Sequence, residues 1–131
     1  MCVPFEKNME QRAAINKCGH YSIVLVAGLG GHPKGTWLAA DGTLWPRQLL
    51  PDYVKNIRVL SFNYNNTLKG SASQAGIEEH AEDLLIALFN AKEDEDEKLR
   101  PIVFVGHSLG GLIIKHVSGR VGHQYFIHLT R

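Results

Sequence analysis

The sequence predicts an α/β fold in which three to four parallel strands are flanked by helices. Apolar runs of strand length alternate along the chain with segments of helical periodicity, which is typical of a parallel sheet with right-handed crossovers. The first apolar run is continuous, as expected of a strand covered on both faces. Hydrophobic residues make up 44% and charged residues 21% of the 131 residues. This balance is that of one globular domain or part of one.

The elements of the first half can be placed from local signals. Residues 1–20 are polar and mixed in charge, and predict an irregular N-terminal segment. A strand is expected over 22–27, and a loop rich in glycine follows it. A short helix is predicted over 45–50, with Pro51 ending it. The next strand is predicted over 57–62.

The clearest predicted helix covers residues 72–91, where Ser71 and Gln74 have the spacing of a capping box. Its buried face is predicted to comprise Ile77, Ala81, Leu84, Leu85 and Leu88. The run 93–98 (EDEDEK) is interpreted as a solvated turn, with an interaction tail as the alternative.

A strand over 101–105, a helix over 109–118 and a further strand over 124–129 complete the predicted elements. Gly119 is expected to close the helix. The buried stripe of this helix is predicted to comprise Leu109, Leu112, Ile113, His116 and Val117.

Gly106 to Gly110 (GHSLG) carries one serine, Ser108, between a predicted strand and a predicted helix. In this context the pattern predicts a nucleophile elbow, a strained turn that presents the serine hydroxyl at the carboxyl end of a sheet. Glycines beside the serine avoid clashes with the strand and the helix. The backbone N–H groups after the serine lie at a helix N-terminus, where partial positive charge stabilises an oxyanion. The plainer alternative is a tight turn in which the serine only caps the helix.

Residues 27–36 follow the first strand and form the second candidate element. Its first glycines are Gly28, Gly30 and Gly31. As an oxyanion loop, it would bring a backbone N–H, that of Leu29, near Ser108 and opposite the N–H of Leu109.

Two nucleotide-binding alternatives for this loop fail on individual residues. A dinucleotide fingerprint would start at Gly28 and Gly30, but Pro33 occupies the position of its third glycine. The next strand also lacks an acidic residue at its end to hold a ribose. A Walker loop requires Gly-Lys-Thr, whereas residues 34–36 read Lys-Gly-Thr.

Segments 26–37 (VAGLGGHPKGTW), 62–64 (FNY) and 104–115 (FVGHSLGGLIIK) together resemble the α/β-hydrolase superfamily. Within it they look most like the serine esterase/lipase group found alone or at the N-terminus of fungal NACHT and ankyrin-repeat proteins. That group is related to the serine-active-site lipid-remodelling proteins and to GPI-inositol-deacylase-like lipases. The resemblance covers residues 22–119. It implies the N-terminal half of an α/β-hydrolase, a truncated domain over residues 21–131.

The resemblance also implies a reaction, the hydrolysis of an ester or thioester through an acyl-enzyme. Ser108 would be the nucleophile, and the N–H groups of Leu29 and Leu109 would be the oxyanion donors. No metal or organic cofactor is implied, because serine acyl transfer needs none. The substrate class would be an ester or a lipid-like small molecule.

Two departures from the family pattern weaken this expectation. Ala27 stands where the group usually carries a histidine that shapes the oxyanion loop. The resemblance implies a chain order of Ser, Asp or Glu, and His, yet no acidic residue follows Ser108, and His116, His123 and His128 do not match the family's base. A serine hydroxyl is a poor nucleophile without a base, so we expect a weak or inactive hydrolase. The alternative is a non-catalytic pseudoenzyme or interaction fragment of a larger NACHT-type signalling protein, with a partner covering the exposed sheet edge.

Composition excludes other function classes. A net charge of +1 without a basic stripe gives no electrostatic case for nucleic acid. Residues 1–20 contain no apolar run, so we expect no secretory signal, and no stretch of the sequence reaches the ~20 apolar residues of a membrane span. Cys2 and Cys18 lack disulfide or metal-ligand spacing, so we expect a cytoplasmic protein with reduced thiols, and the resemblance leaves mitochondrial or endoplasmic reticulum association open. The tail 121–131 departs from the resemblance, and we expect a misplaced exon boundary there.

Overall fold

A five-stranded sheet forms the centre of the chain in a computed structural model that describes residues 2–4, 21–65, 73–91, 100–121 and 124–129. The strands are β1 (Cys2–Pro4), β2 (Tyr21–Val26), β3 (Ile57–Phe62), β4 (Ile102–His107) and β5 (Gln124–Leu129). Their order across the sheet is β1-β3-β2-β4-β5. Strands β3, β2, β4 and β5 are parallel, which confirms the predicted fold class.

The register places the ends of the central strands side by side. Val26, the last residue of β2, pairs with Phe62 of β3 and with Gly106 of β4. The loops that follow these strands therefore leave the sheet at one edge, the carboxyl edge, where open α/β sheets bind ligands.

Strand β1 was missed by sequence reasoning. It pairs antiparallel with β3, with Cys2 opposite Phe62. Three residues within a polar segment carry too little pattern to predict a strand, and this one exists through its pairing with β3. Residue 1 and residues 5–20, the rest of the predicted irregular segment, lie outside the described residues.

The single helix predicted over 45–50 is two short helices, α1 (Trp45–Gln48) and α2 (Leu50–Tyr53). Pro51 lies in the first turn of α2, so it begins a helix where it was expected to end one. The first turn tolerates proline because its N–H groups have no intrahelical partner.

Helix α3 (Gln74–Asn90) confirms the predicted long helix, but it begins at residue 74 and not at residue 72. The N-cap is Ser73, whose hydroxyl accepts a hydrogen bond from the Gly76 N–H at 3.1 Å, while the predicted cap Ser71 lies outside the described residues. At the other end, the Arg58 guanidinium donates to the Ala91 carbonyl. A cation there complements the negative end of the helix dipole. The charged run 93–98 also lies outside the described residues.

Helix α4 (Leu109–Val117) packs beside α3 on one face of the sheet. Two members of its predicted stripe are wrong, because Leu112 is 46% exposed and His116 is also exposed. The buried residues are Leu109, Gly110, Gly111, Ile113, Ile114 and Val117. The helix turns its two glycines to the sheet, and this rotates the stripe relative to the predicted one.

Alternate strand residues build two hydrophobic clusters. On the face carrying α3 and α4, Val24, Phe104 and Phe62 are almost fully buried. On the opposite face, Ile23 and Leu25 pack with Trp37, which lies in a 3-10 turn over Gly35–Trp37. Residues Ile57, Val59 and Val103 of that face are only partly buried. Within the described ranges, no helix is both long enough and apolar enough to cross a membrane.

Candidate active site

Ser108 lies at the carboxyl edge between the last residue of β4 and the first residue of α4. Its backbone has φ 53° and ψ −123°, a conformation that costs a residue with a side chain about 1–3 kcal/mol. The residue is exposed, and its hydroxyl makes no capping hydrogen bond to α4. A serine that only capped the helix would make such a hydrogen bond, so the structure does not support that alternative.

The glycines of the turn are required by close packing. A β-carbon on Gly106 would lie 2.8 Å from the Gly111 Cα, and one on Gly110 would lie 2.1 Å from the Val26 carbonyl oxygen. The first turn of α4 thus rests directly on the backbone at the end of β2. Only glycine allows this approach, which holds the serine at the edge of the sheet.

The glycine-rich loop and the serine turn meet at Gly28. A β-carbon on Gly28 would stand 2.7 Å from Ser108 Cβ and 2.9 Å from the His107 carbonyl oxygen. The structure thus brings together the two segments that sequence analysis singled out.

A tight turn shapes the loop next to Ser108. The Gly31 N–H donates to the Gly28 carbonyl at 3.0 Å, and Gly30, the third residue of this turn, has φ +65°. Glycine is favoured at that position because other side chains rarely adopt a positive φ. Leu29, the second residue, is partly buried against the core cluster of α3 and α4.

His32 organises the second half of the loop. Its Nδ1 accepts hydrogen bonds from the N–H groups of Lys34 and Gly35, both at 3.1 Å. The N–H of His32 itself donates to Thr36 Oγ1. A neutral imidazole that accepts at Nδ1 carries its proton on Nε2. In this arrangement the ring has no free lone pair to take a proton from Ser108, so His32 is poorly suited to be a base.

Two side chains from β3 and its following loop tie the glycine-rich loop to the sheet. The Tyr64 hydroxyl donates to the Ala27 carbonyl at 2.7 Å, and the Ser61 hydroxyl donates to the Pro33 carbonyl at 2.9 Å. Sequence reasoning found neither contact. No local pattern marks a side chain whose partner lies on another strand.

Comparison with known proteins identifies the family. The family model described as "Putative serine esterase (DUF676)" matches residues 19–130. The chain belongs to this serine esterase family. A relative, Protein SERAC1 of Danio rerio, is 31% identical over 74 residues, which cover 54% of this chain and 11% of that protein. The chain thus spans a small part of the length of this relative. The family match confirms the resemblance and an esterase-like domain. It also extends beyond the expected range 22–119 and includes residues 121–130, so the expectation that the tail departs from the family was wrong.

Apart from His32, the histidines of this serine esterase domain whose side chains the structure describes lie on separate elements. His107 is half-buried, with its Nδ1 beside Gly28, whereas His116 is exposed on α4. His80 is buried on α3 against the Tyr64 ring, with 4.6 Å between ring centroids. The side chains of His123 and His128 lie outside what the structure describes.

Most aromatic side chains near the carboxyl edge belong to the core of the esterase domain. Trp37 is buried and meets Trp45 edge to face, with centroids 6.2 Å apart. Phe62 and Tyr64 are buried, and their rings stack with 5.5 Å between centroids.

Proposed function

We propose that this chain is a serine-hydrolase domain that reacts with carboxylic esters or thioesters through Ser108. The observation that carries the proposal is the backbone of Ser108, which is strained, exposed and without a capping hydrogen bond beside a glycine-rich loop. Backbone strain persists only where the surrounding structure enforces it, and it clusters at functional sites. Residues 21–131 would form one partial α/β-hydrolase domain.

The proposed chemistry follows from the position of the turn. The Ser108 oxygen attacks the ester carbonyl carbon, and the alcohol or thiol leaves as the acyl-enzyme forms. The N–H of Leu109, in the first turn of α4, has no intrahelical partner and would donate to the oxyanion. The N–H of Leu29 would be the second donor. Water then releases the acid, and the reaction requires no metal or organic cofactor.

We propose that turnover by the chain as written is weak or absent. No Asp or Glu follows Ser108 in the sequence, and the Nδ1 of His32 is occupied by two backbone donors. When triad members are removed from a serine hydrolase, binding and the oxyanion hole leave a residual acceleration of about 10³–10⁴. We therefore expect the rate of acylation by a reactive ester to be reduced less than the rate of hydrolysis of an ordinary ester.

The second candidate is a non-catalytic interaction domain, such as part of a larger NACHT-type signalling protein. Exposed apolar side chains favour it, since Tyr53 is 85% exposed and Leu49 and Val54 lie near it in the chain. The partly buried sheet residues of the same face would also be covered by a partner. For the first candidate, the serine hydrolase, we propose a lipid-like ester substrate and a cytoplasmic location.

The test is covalent labelling of the full chain with a fluorophosphonate. The Ser108 oxygen bonds to phosphorus, fluoride leaves and the serine proton passes to water. We expect labelling of the wild type, none of Ser108→Ala, and full labelling of Ser118→Ala. Ser118 is a matched control because it lies at the end of the same helix, where its hydroxyl donates to the Ile114 carbonyl. A folded wild-type chain that is not labelled would support the interaction domain instead.

A further inference from the structure

We propose that Tyr64 is a positioning residue for the oxyanion loop, acting through the carbonyl of Ala27. The inference rests on the proposed function and deepens it. The buried hydroxyl of Tyr64 donates to the Ala27 carbonyl oxygen at 2.7 Å. Tyr64 would touch no reacting atom, and its effect would be to hold the backbone that carries the Leu29 N–H.

The Ala27 carbonyl lies at the junction of the two parts of the site. A β-carbon on Gly110 would lie 2.7 Å from this oxygen, so the carbonyl rests against the first turn of α4. Leu29 follows Ala27 by two residues, and Leu109 precedes Gly110. This carbonyl oxygen therefore lies two residues before Leu29 in the chain and, in space, against the residue that follows Leu109. Fixing it constrains the relative position of the two proposed oxyanion donors.

The end of the strand ladder explains why a side chain makes this hydrogen bond. Val26 is the last residue of β2 to pair with β3 and β4. Ala27 is the next residue and is 2% exposed, so its carbonyl is removed from water. A buried carbonyl needs a donor. Tyr64, two residues beyond the end of β3, supplies one.

Tyr64 is itself held in place. It is 9% exposed, its ring stacks on Phe62, and it contacts the ring of His80 on α3. Burial raises the pKa of Tyr64 to about 12, so the hydroxyl keeps its proton at neutral pH. A fixed and protonated hydroxyl is a reliable donor.

Tyr64→Phe removes this hydroxyl alone, and Tyr53→Phe is the matched control because Tyr53 is 85% exposed on α2. We would measure kinact and KI for the fluorophosphonate on the full chain. We expect Tyr64→Phe to lower kinact about tenfold, less than the ~10²–10³-fold loss of an oxyanion donor itself, with KI unchanged. Tyr53→Phe should match the wild type. An unchanged kinact in a folded Tyr64→Phe protein would overturn the proposal.

A second variant separates positioning from general structure. A fluorinated tyrosine at position 64 keeps the ring and the hydroxyl but ionises at lower pH than tyrosine. As it ionises it stops donating, so kinact should fall with rising pH at a lower pH than in the wild type. A kinact profile that is identical in the two proteins would overturn the proposal, even where Tyr64→Phe does not fold.

Amide hydrogen exchange distinguishes this proposal from the function on which it rests. If the wild type is not labelled, the proposed function fails, while the effect of Tyr64 on the loop can still be measured. We expect faster exchange at residues 28–31 in Tyr64→Phe than in Tyr53→Phe. Equal exchange in the two variants would overturn the role of Tyr64 independently of any activity.

Discussion

The backbone of Gly28 lies so close to Ser108 that a methyl group on it would stand 2.7 Å from Ser108 Cβ. The two residues are far apart in the sequence. They meet because Val26 of β2 pairs with Gly106 of β4. Gly28 follows Val26 by two residues and Ser108 follows Gly106 by two residues, so both leave the sheet at the same point. The sheet register therefore assembles the candidate site.

Gly28→Ala should reduce fluorophosphonate labelling of Ser108 more than tenfold. The new methyl would meet Ser108 Cβ and the His107 carbonyl, and one of these must move. Displacing a reacting group by about 1 Å can cost about 10²-fold in rate. The measurement is the labelling rate, with Gly119→Ala as control because a β-carbon there has no neighbour within 4 Å. Wild-type labelling of Gly28→Ala would contradict the close packing.

Gly110→Ala should destabilise the whole domain. Its β-carbon would lie 2.1 Å from the Val26 carbonyl oxygen, and this contact is between backbone segments that cannot rotate away. Overpacking of this kind costs about 3 kcal/mol or more of unfolding free energy. Urea unfolding followed by circular dichroism would measure the loss against Gly119→Ala. A loss similar to that of the control would show that α4 can shift away from β2.

Ser108→Gly should unfold at a higher urea concentration than Ser108→Ala. Both variants lack the Ser108 hydroxyl, but glycine relieves the strain of φ 53° that alanine retains. The strain is about 1–3 kcal/mol, and the greater freedom of glycine in the unfolded chain offsets part of it, which leaves about 1 kcal/mol. Equal midpoints would mean that the turn relaxes when the serine is replaced.

His32→Leu should slow labelling of Ser108, whereas His32→Asn should retain most of it. The Nδ1 of His32 accepts hydrogen bonds from the N–H groups of Lys34 and Gly35. An asparagine side-chain oxygen can accept from the same donors, as in an Asx turn, and leucine cannot. If both variants are labelled at the same reduced rate, the imidazole has a role beyond shaping the loop.

Stability should fall above about pH 10 because of Tyr64. Burial raises its pKa to about 12 from the ordinary value of 10.0, so between these values the folded chain binds a proton that the unfolded chain has lost. Unfolding free energy therefore decreases as the pH rises through this window and is unaffected by this group below it. Urea midpoints near pH 9 and pH 11 should differ less in Tyr64→Phe than in the wild type. Tyr53→Phe should behave as the wild type.

Several features of the fold were predictable because their signals are local. The strand Ile57–Phe62 and the turn around Ser108 lie where apolar runs and glycines predict them. The phase of α4 was less predictable. Helical spacing favoured Leu112 and His116, but both are exposed because Gly110 packs against the end of β2 and Gly111 against Gly106 of β4. Periodicity gives the spacing of a buried face, and close contacts with other elements decide its rotation.

By itself, the sequence determined the α/β class, the serine turn after a buried strand and the glycine-rich loop, because each depends on neighbouring residues. Tertiary structure decided the rest. It placed Gly28 against Ser108, directed the Tyr64 hydroxyl to the Ala27 carbonyl and engaged His32 within the loop. The first two contacts join segments that are distant in the chain. They exist because parallel strands align their carboxyl ends, and the register that aligns them is a property of the assembled sheet.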